Sequence, residues 1–220
     1  MRMGSILLVL AGLGGLCGRG AAQDRPVVAM IGTGNLGGTF GPALGRGGYQ
    51  VVYGSRNPDR DLVRALVERT GAGASATTPR EAAARAEIIV LAVPGEVLDE
   101  VTRNLGDLDG KIVVDVSGGR KRVAADGYLE LVSDSTNSER IQSRHPAARV
   151  VRIGLPGIFF FVDPLLVGTP PTVPIASNDP RAREAVARII FDVGLDPWDA
   201  GPLRFSRVFD AWGLLSLVPA

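Results

Sequence analysis

Residues 27–38 constrain what this chain can fold into more than any other stretch. Val27-Val28-Ala29-Met30-Ile31 is an apolar run that predicts a buried parallel strand, and Gly32-x-Gly34-x-x-Gly37 follows it at once. Each glycine has its own task in such a turn. Gly32 lets the chain leave the strand sharply, Gly34 omits a side chain that would block a pyrophosphate, and Gly37 brings the next helix close to the sheet. The free amides at that helix start then face an anion. With 29 glycines in 220 residues a lone match means little. Here the pattern sits between a strand-like and a helix-like run, and a second strand, Tyr49-Gln50-Val51-Val52-Tyr53, follows about 20 residues later.

The end of that second strand selects the nucleotide. An NAD site wants a carboxylate there for the ribose 2′-hydroxyl, and an NADP site wants a cation for the 2′-phosphate. The chain offers Ser55, Arg56 and Arg60, with Asp59 its first acid. A guanidinium can fork onto phosphate oxygens and stack on adenine, so the residues read as NADP(H)-binding.

The remaining pattern alternates strands and helices. Helices are predicted over 36–46, from Pro58 to about Thr70, over 79–85 behind a Thr78-x-x-Glu81 capping box, and over 96–104. Strands are predicted at 74–76, 87–93, 111–117 and 149–153, with a weaker helix at 135–144. Further on come a short strand at 173–176, a helix over 180–193, an edge strand at 195–198 and a last helix. This order predicts an α/β, Rossmann-type doubly wound and mainly parallel sheet with a small C-terminal subdomain. The expected division is a nucleotide-binding domain over 23–153 and an acceptor-binding subdomain over 154–220. Ligands of such sheets lie beyond the carboxyl ends of the strands, which brings Ala92, Val93 and Pro94 to the nucleotide as shape-giving residues. Val116 to Gly119 would lie on the nicotinamide side, where Ser117 is either a contact or an ordinary turn residue.

Composition narrows the function. Lys plus Arg number 24 and Asp plus Glu 23, so nothing points to a nucleic-acid or membrane-surface partner. The positive charge is nearly all arginine, with only Lys111 and Lys121 as lysines. One histidine, His145, and one cysteine, Cys17, cannot write a zinc pattern or a nucleophile–base pair. Chemistry without a nucleophile or metal suits hydride transfer to a small-molecule acceptor, in which the protein supplies position. Phe159-Phe160-Phe161 lies in a Gly/Pro-rich stretch, 154–174, that reads as a long functional loop. Core packing is the default for the three rings and a stacking wall for a flat ring system the alternative.

Residues 1–22 look like an export signal. Arg2 is followed by an apolar run at 6–16, and Gly20-Ala21-Ala22 offers small residues for cleavage. The run is too short to span a bilayer, so no stable membrane span is expected in the mature chain. The expected location is periplasmic, and a cytoplasmic protein with a start near Asp24 is the alternative. At the other end Trp212, Leu214, Leu215 and Leu217 form an apolar end that a homodimer would cover.

Ile31-Gly32-Thr33-Gly34-Asn35-Leu36-Gly37, Gly54-Ser55-Arg56, Val90-Leu91-Ala92-Val93-Pro94 and Asp199-Ala200-Gly201-Pro202-Leu203 with Ser206-Arg207 together resemble the NADPH-dependent coenzyme F-420 reductases, the F-420:NADP oxidoreductases. The reductase module of the membrane ferric reductases is similar to that family. The resemblance implies that Thr33, Asn35 and Leu36 line the pyrophosphate, and that Ser55, Arg56 and Arg60 hold the 2′-phosphate. It also implies hydride exchange between NADPH and a deazaflavin, coenzyme F-420, or a flavin-like acceptor. The chain departs from the family at Ile153-Gly154-Leu155-Pro156, which lacks a polar pair ahead of the proline, at Asp210 in place of a glutamate, and in a last helix that ends early. Because these departures fall in the acceptor half, a non-catalytic NADP(H)-binding sensor or scaffold is the competing expectation. A hydroxyacid dehydrogenase, prompted by Ser117-Gly118-Gly119, ranks below both because that family's large helical domain and catalytic lysine are missing, and a ferric reductase-like enzyme ranks with it.

Overall fold

Four apolar residues in a row form β1 (Val28–Ile31), and all four are buried because helices cover both faces of the strand. The computed structural model describes residues 25–132 and 134–215; residues 1–22, expected to be an export signal, and Leu217 lie outside them. After β1 come α1 (Asn35–Arg46), β2 (Val51–Gly54), α2 (Asp61–Thr70), β3 (Ser75–Thr77), α3 (Pro79–Arg85) and β4 (Ile88–Leu91). A 3-10 turn, Gly95–Val97, leads into α4 (Leu98–Asn104) and β5 (Ile112–Asp115). The chain continues through β6 (Lys121–Val123), β7 (Leu129–Leu131), α5 (Asn137–Arg144), β8 (Arg149–Ile153) and a 3-10 turn, Ile158–Phe161. It closes with β9 (Thr172–Ser177), α6 (Pro180–Asp192), β10 (Asp196–Gly201), a 3-10 turn, Leu203–Phe205, and α7 (Ser206–Leu215).

Eight strands make one sheet in the order β10-β9-β8-β5-β4-β1-β2-β3, and β6 and β7 form a separate hairpin. Every neighbouring pair in the large sheet is parallel except β8 and β9. Alternate residues divide between two layers. Val28, Met30, Val51, Tyr53, Val90 and Val114 pack with Phe40 and Leu44 of α1 and Val186 and Ile190 of α6. Ala29, Ile31, Val52, Ile89, Leu91 and Val113 pack with Ala82 of α3, Leu98 of α4 and Ile141 of α5. Each fully buried Leu, Ile or Phe contributes about 1.5–3 kcal/mol. Residues from 154 onward add β9 and β10 to this same sheet, with α6 on the α1 side.

Local chemistry explains several boundaries. Thr78 accepts from the Glu81 amide while the Glu81 carboxylate accepts from the Thr78 amide, the reciprocal cap the sequence predicts for α3. Thr136 and Glu139 repeat the device at α5. Pro42 stands inside α1 and cannot donate to the carbonyl four residues back. Arg69 of α2 fills that place, donating to the Gly38 carbonyl at 2.9 Å. Tyr53 is fully buried because Gly41 leaves room: a Cβ there would stand 1.9 Å from the phenol oxygen. That phenol bonds Thr70 at 2.7 Å, and burial pushes its pKa up to about 12.

The structure corrects three expectations. The second helix starts at Asp61, not Pro58, because residues 57–60 form a turn held by the Asn57 amide on the Ser55 hydroxyl at 3.2 Å. The predicted helix from Glu96 opens with a 3-10 turn. The weakly patterned stretch after residue 120 contains the β6–β7 hairpin. Of the apolar C-terminal end, Trp212 is exposed on α7 and Leu214 half-buried.

Candidate active site

The loops after β2, β1, β4 and β5 lie side by side because those strands are sheet neighbours. At their centre the Gly32 amide donates to the Gly54 carbonyl at 3.2 Å, and the Ala92 amide donates to the Ile31 carbonyl at 2.8 Å. Gly32 has φ +114°, and a Cβ on it would stand 2.3 Å from the Ala92 carbonyl oxygen. A Cβ on Gly37 would stand 2.1 Å from the Gly32 carbonyl oxygen, so the start of α1 rests directly on the loop. Gly34 is different. Nothing lies within 4 Å of the place its Cβ would occupy, and it is the N-cap of α1.

No side chain caps that helix end and no acid stands in its first turn, so its leading amides and positive dipole end are left to an anion. Thr33 and Leu36 are half-buried and Asn35 is exposed around this opening. At the end of β2 the Ser55 hydroxyl is engaged in the turn with Asn57, and Arg56 and Arg60 project from it, both exposed. Neither guanidinium has a carboxylate partner among the described residues, although Asp59 and Asp61 are close in sequence.

Of the remaining expected residues, Val116 lies buried in the α1-side layer, and Leu36 and Ala92 pack against that layer from the loop edge. Leu155, just past β8, packs against the same layer, and the sequence pattern did not single it out. Val93 turns to the opposite layer and Pro94 is exposed, so the three residues expected as one wall divide over both faces.

Ser117 is a structural hydroxyl. Its amide and hydroxyl donate to Asp115 Oδ1 at 2.8 and 2.7 Å, and its oxygen accepts from Asn137 Nδ2 at 2.8 Å. Asn137 also donates to the Gly118 carbonyl at 3.0 Å, and Ser138 donates to Asp115 Oδ2 at 2.5 Å. The start of α5 thereby holds the β5 loop in shape. Beneath it Arg152 of β8 donates to the Asp115 carbonyl at 3.2 Å and to Asp210 of α7 at 2.9 Å. Burial pushes the Asp210 carboxyl up against the pull of Arg152. A cavity of about 90 Å³, with Gly119, Leu131, Thr136 and Asp210 in its lining, borders this pair and has room for about three waters.

His145 caps α5 at the end away from these loops. No group of three potential metal ligands occurs among the described residues. The triple phenylalanine resolves as packing for two of its members. Phe161 is fully buried and stacks on Phe40 at 4.2 Å between centroids, Phe160 is buried, and Phe159 is half exposed.

Residues 27–119 match the family described as NADP oxidoreductase, coenzyme F420-dependent. A solved structure from Arthrobacter sp. FB24, described as an F420-dependent NADP reductase, is 26% identical with a TM-score of 0.75, covering 87% of this chain and 91% of its own. A hypothetical protein from Sinorhizobium meliloti has the same fold at 24% identity and a TM-score of 0.71, over 84% of this chain and 89% of its own. Among curated proteins, the metalloreductase STEAP3 of Rattus norvegicus is 28% identical over 86% of this chain, which spans 36% of that relative's length. Through residues 27–119 the chain is thus similar to the coenzyme F420-dependent NADP oxidoreductases, and by class it is an NADP-dependent oxidoreductase.

Proposed function

We propose that the chain exchanges hydride between NADPH and a deazaflavin or flavin-like acceptor, with residues 23–153 holding the nucleotide and 154–220 the acceptor. The observation that carries this reading is the open position at Gly34 beside an uncapped helix end, with two unpaired arginines one strand away. When bound, the nicotinamide supplies the hydride; the protein's part is binding and orientation. The first-turn amides from Asn35 to Gly37 take the pyrophosphate, with Thr33 at its rim. Arg56 and Arg60 take the 2′-phosphate, with Ser55 setting the turn that aims them. Ala92, Val116 and Leu36 give the nicotinamide an apolar, water-poor bed. No acid or base of the chain enters this step.

Arg56→Ala is expected to weaken NADPH at least tenfold and NADH by less than twofold, since a charge-assisted bond to phosphate contributes about 1.5–3 kcal/mol. Equal losses for the two nucleotides in a fluorescence titration would sink the NADP preference. The acceptor is tested by mixing the full chain with NADPH and adding coenzyme F420, FMN or a ferric chelate while absorbance of the reduced nucleotide is followed. Oxidation with the deazaflavin is the expected result.

A sensor is the second reading. It is favoured by the departures in the acceptor half, where Ile153-Gly154-Leu155-Pro156 at the end of β8 lacks a polar pair ahead of the proline and Asp210 stands in place of a glutamate. Tight NADPH binding with no oxidation by any acceptor would select it.

A further inference from the structure

Asn137, the first residue of α5, is 3% exposed and engages both ends of its amide. Nδ2 gives one proton to the Ser117 hydroxyl oxygen at 2.8 Å and the other to the Gly118 carbonyl at 3.0 Å, and Oδ1 takes one from Arg140 Nη2 at 2.6 Å. The partners fix which way round it lies. A carbonyl only accepts, a guanidinium only donates, and the Ser117 proton is already given to Asp115. No other side chain of this size sets two donors on one side and an acceptor on the other. Aspartate would turn a carboxylate toward the Gly118 carbonyl, and leucine would leave every partner unmet.

Three segments meet at this amide. A Cβ on Gly95, in the loop after β4, would stand 2.6 Å from the Gly118 carbonyl oxygen and 2.7 Å from Asn137 Nδ2, so the backbone of that loop lies against the bond that holds the β5 loop. The support continues outward. Arg140 Nε is 3.6 Å from Asp99 Oδ1 on α4, and Arg144 bonds the same carboxylate and holds it below the usual carboxylate range. Because α4 follows the β4 loop through the 3-10 turn, these contacts close a ring from that loop through α4 and α5 to the β5 loop and back. Arg140 is an uneconomical member of it. Its Nε and Nη1 are buried without a hydrogen bond, and a buried charge so incompletely paired adds little to stability. What it does achieve is to aim the Asn137 amide.

We propose that Asn137 is a positioning residue for hydride transfer: it fixes the spacing of the β4 and β5 loops, and so the place of the nicotinamide beside them, with Arg140 setting its amide. This role rests on the nucleotide site proposed above. The phosphates are held elsewhere, by the α1 amides and the β2 arginines, so affinity and placement come apart. A displacement of about 1 Å in the ring can slow transfer about a hundredfold, while binding set by charge at the other end hardly changes.

NADPH fluorescence on titration of the full chain reads both quantities, since the midpoint reports affinity and the emission of the bound nicotinamide reports its surroundings. Asn137→Asp should bind NADPH within about twofold of wild type, lose about half or more of the emission change, and show kcat lowered about tenfold or more with KM for NADPH unchanged. With NADPH deuterated at the transferred position the isotope effect should rise, because the hydride step itself is retarded. Gly95→Ala drives a methyl group into the same contact from the other loop and should show the same split, so a folding fault in one variant, seen by thermal unfolding, leaves the other to decide. Wild-type emission and isotope effect in the folded variants would overturn the role of Asn137 alone. Affinity falling in step with emission would also overturn it, because the loop would then hold the nucleotide as a whole. A wild-type chain that binds no NADPH would overturn the nucleotide site and this role with it.

Discussion

Gly34→Val should abolish NADPH binding, by a factor of 100 or more, while the protein unfolds within about 2 °C of its normal temperature. The two halves of that expectation come from one place. A Cβ at Gly34 would meet no atom within 4 Å, and its backbone, at φ −79° and ψ −160°, is extended and open to an L-residue, so folding should lose little. The same side chain would fill the space in front of the first-turn amides of α1, where the pyrophosphate is proposed to lie. Gly37→Ala is the control with the opposite sign. Its methyl group would lie 2.1 Å from the Gly32 carbonyl, so α1 must lift from the loop, and a loss of about 1–3 kcal/mol is expected. Thermal unfolding and a fluorescence titration on the two variants check both. A Gly34→Val protein that still binds NADPH at wild-type strength would remove the nucleotide from this loop.

Arg152→Ala carries the largest expected stability effect, about 3–5 kcal/mol, since it leaves a buried carboxylate without its partner. For a chain of this size the unfolding temperature should fall by roughly 10 °C or more. The pH dependence has a definite sign. Burial already raises the Asp210 carboxyl, with Asp115 adding to the rise and Arg152 and Lys121 opposing it. A group raised in the folded state favours folding below its unfolded value and loses that contribution as pH climbs through the folded one. Removing Arg152 moves the carboxyl further up, so the deficit of the variant should be smaller at pH 5 than at pH 8. The double variant Arg152→Met/Asp210→Leu should recover most of the loss, because the buried charge is gone altogether. A deficit independent of pH would show that Asp210 is not the group left exposed to the change.

The residues that could be read in advance are those whose reason is local. Ile88–Leu91 was legible because a buried parallel strand is a plain apolar run with short flanks. The capping box at Thr78 and Glu81 was equally plain. The start of α2 was not, since Pro58 suits a first helical turn as well as the turn that precedes one, and only the Ser55–Asn57 contact decides between them. The β6–β7 hairpin escaped because Lys121, Arg122 and Val123 bury no face and so leave no period of two. In the candidate site the glycines declared themselves through spacing. Arg152 and Asp210, 58 residues apart on different elements, carry no joint signal, and neither does the reach of Asn137 across to Ser117 and Gly118.

The single reversal in the large sheet, between β8 and β9, gives the row of loops a direction. From β2 to β8 the carboxyl ends stand together like books on a shelf, and β9 and β10 turn their other ends to that side, so the shelf stops at β8. At its far end the row runs on to β3 and the sheet edge, with Arg56 and Arg60 standing free. An extended two-ended ligand laid across it has one sensible way round: its charged, phosphorylated end toward the open side and its flat, reactive end toward the stop.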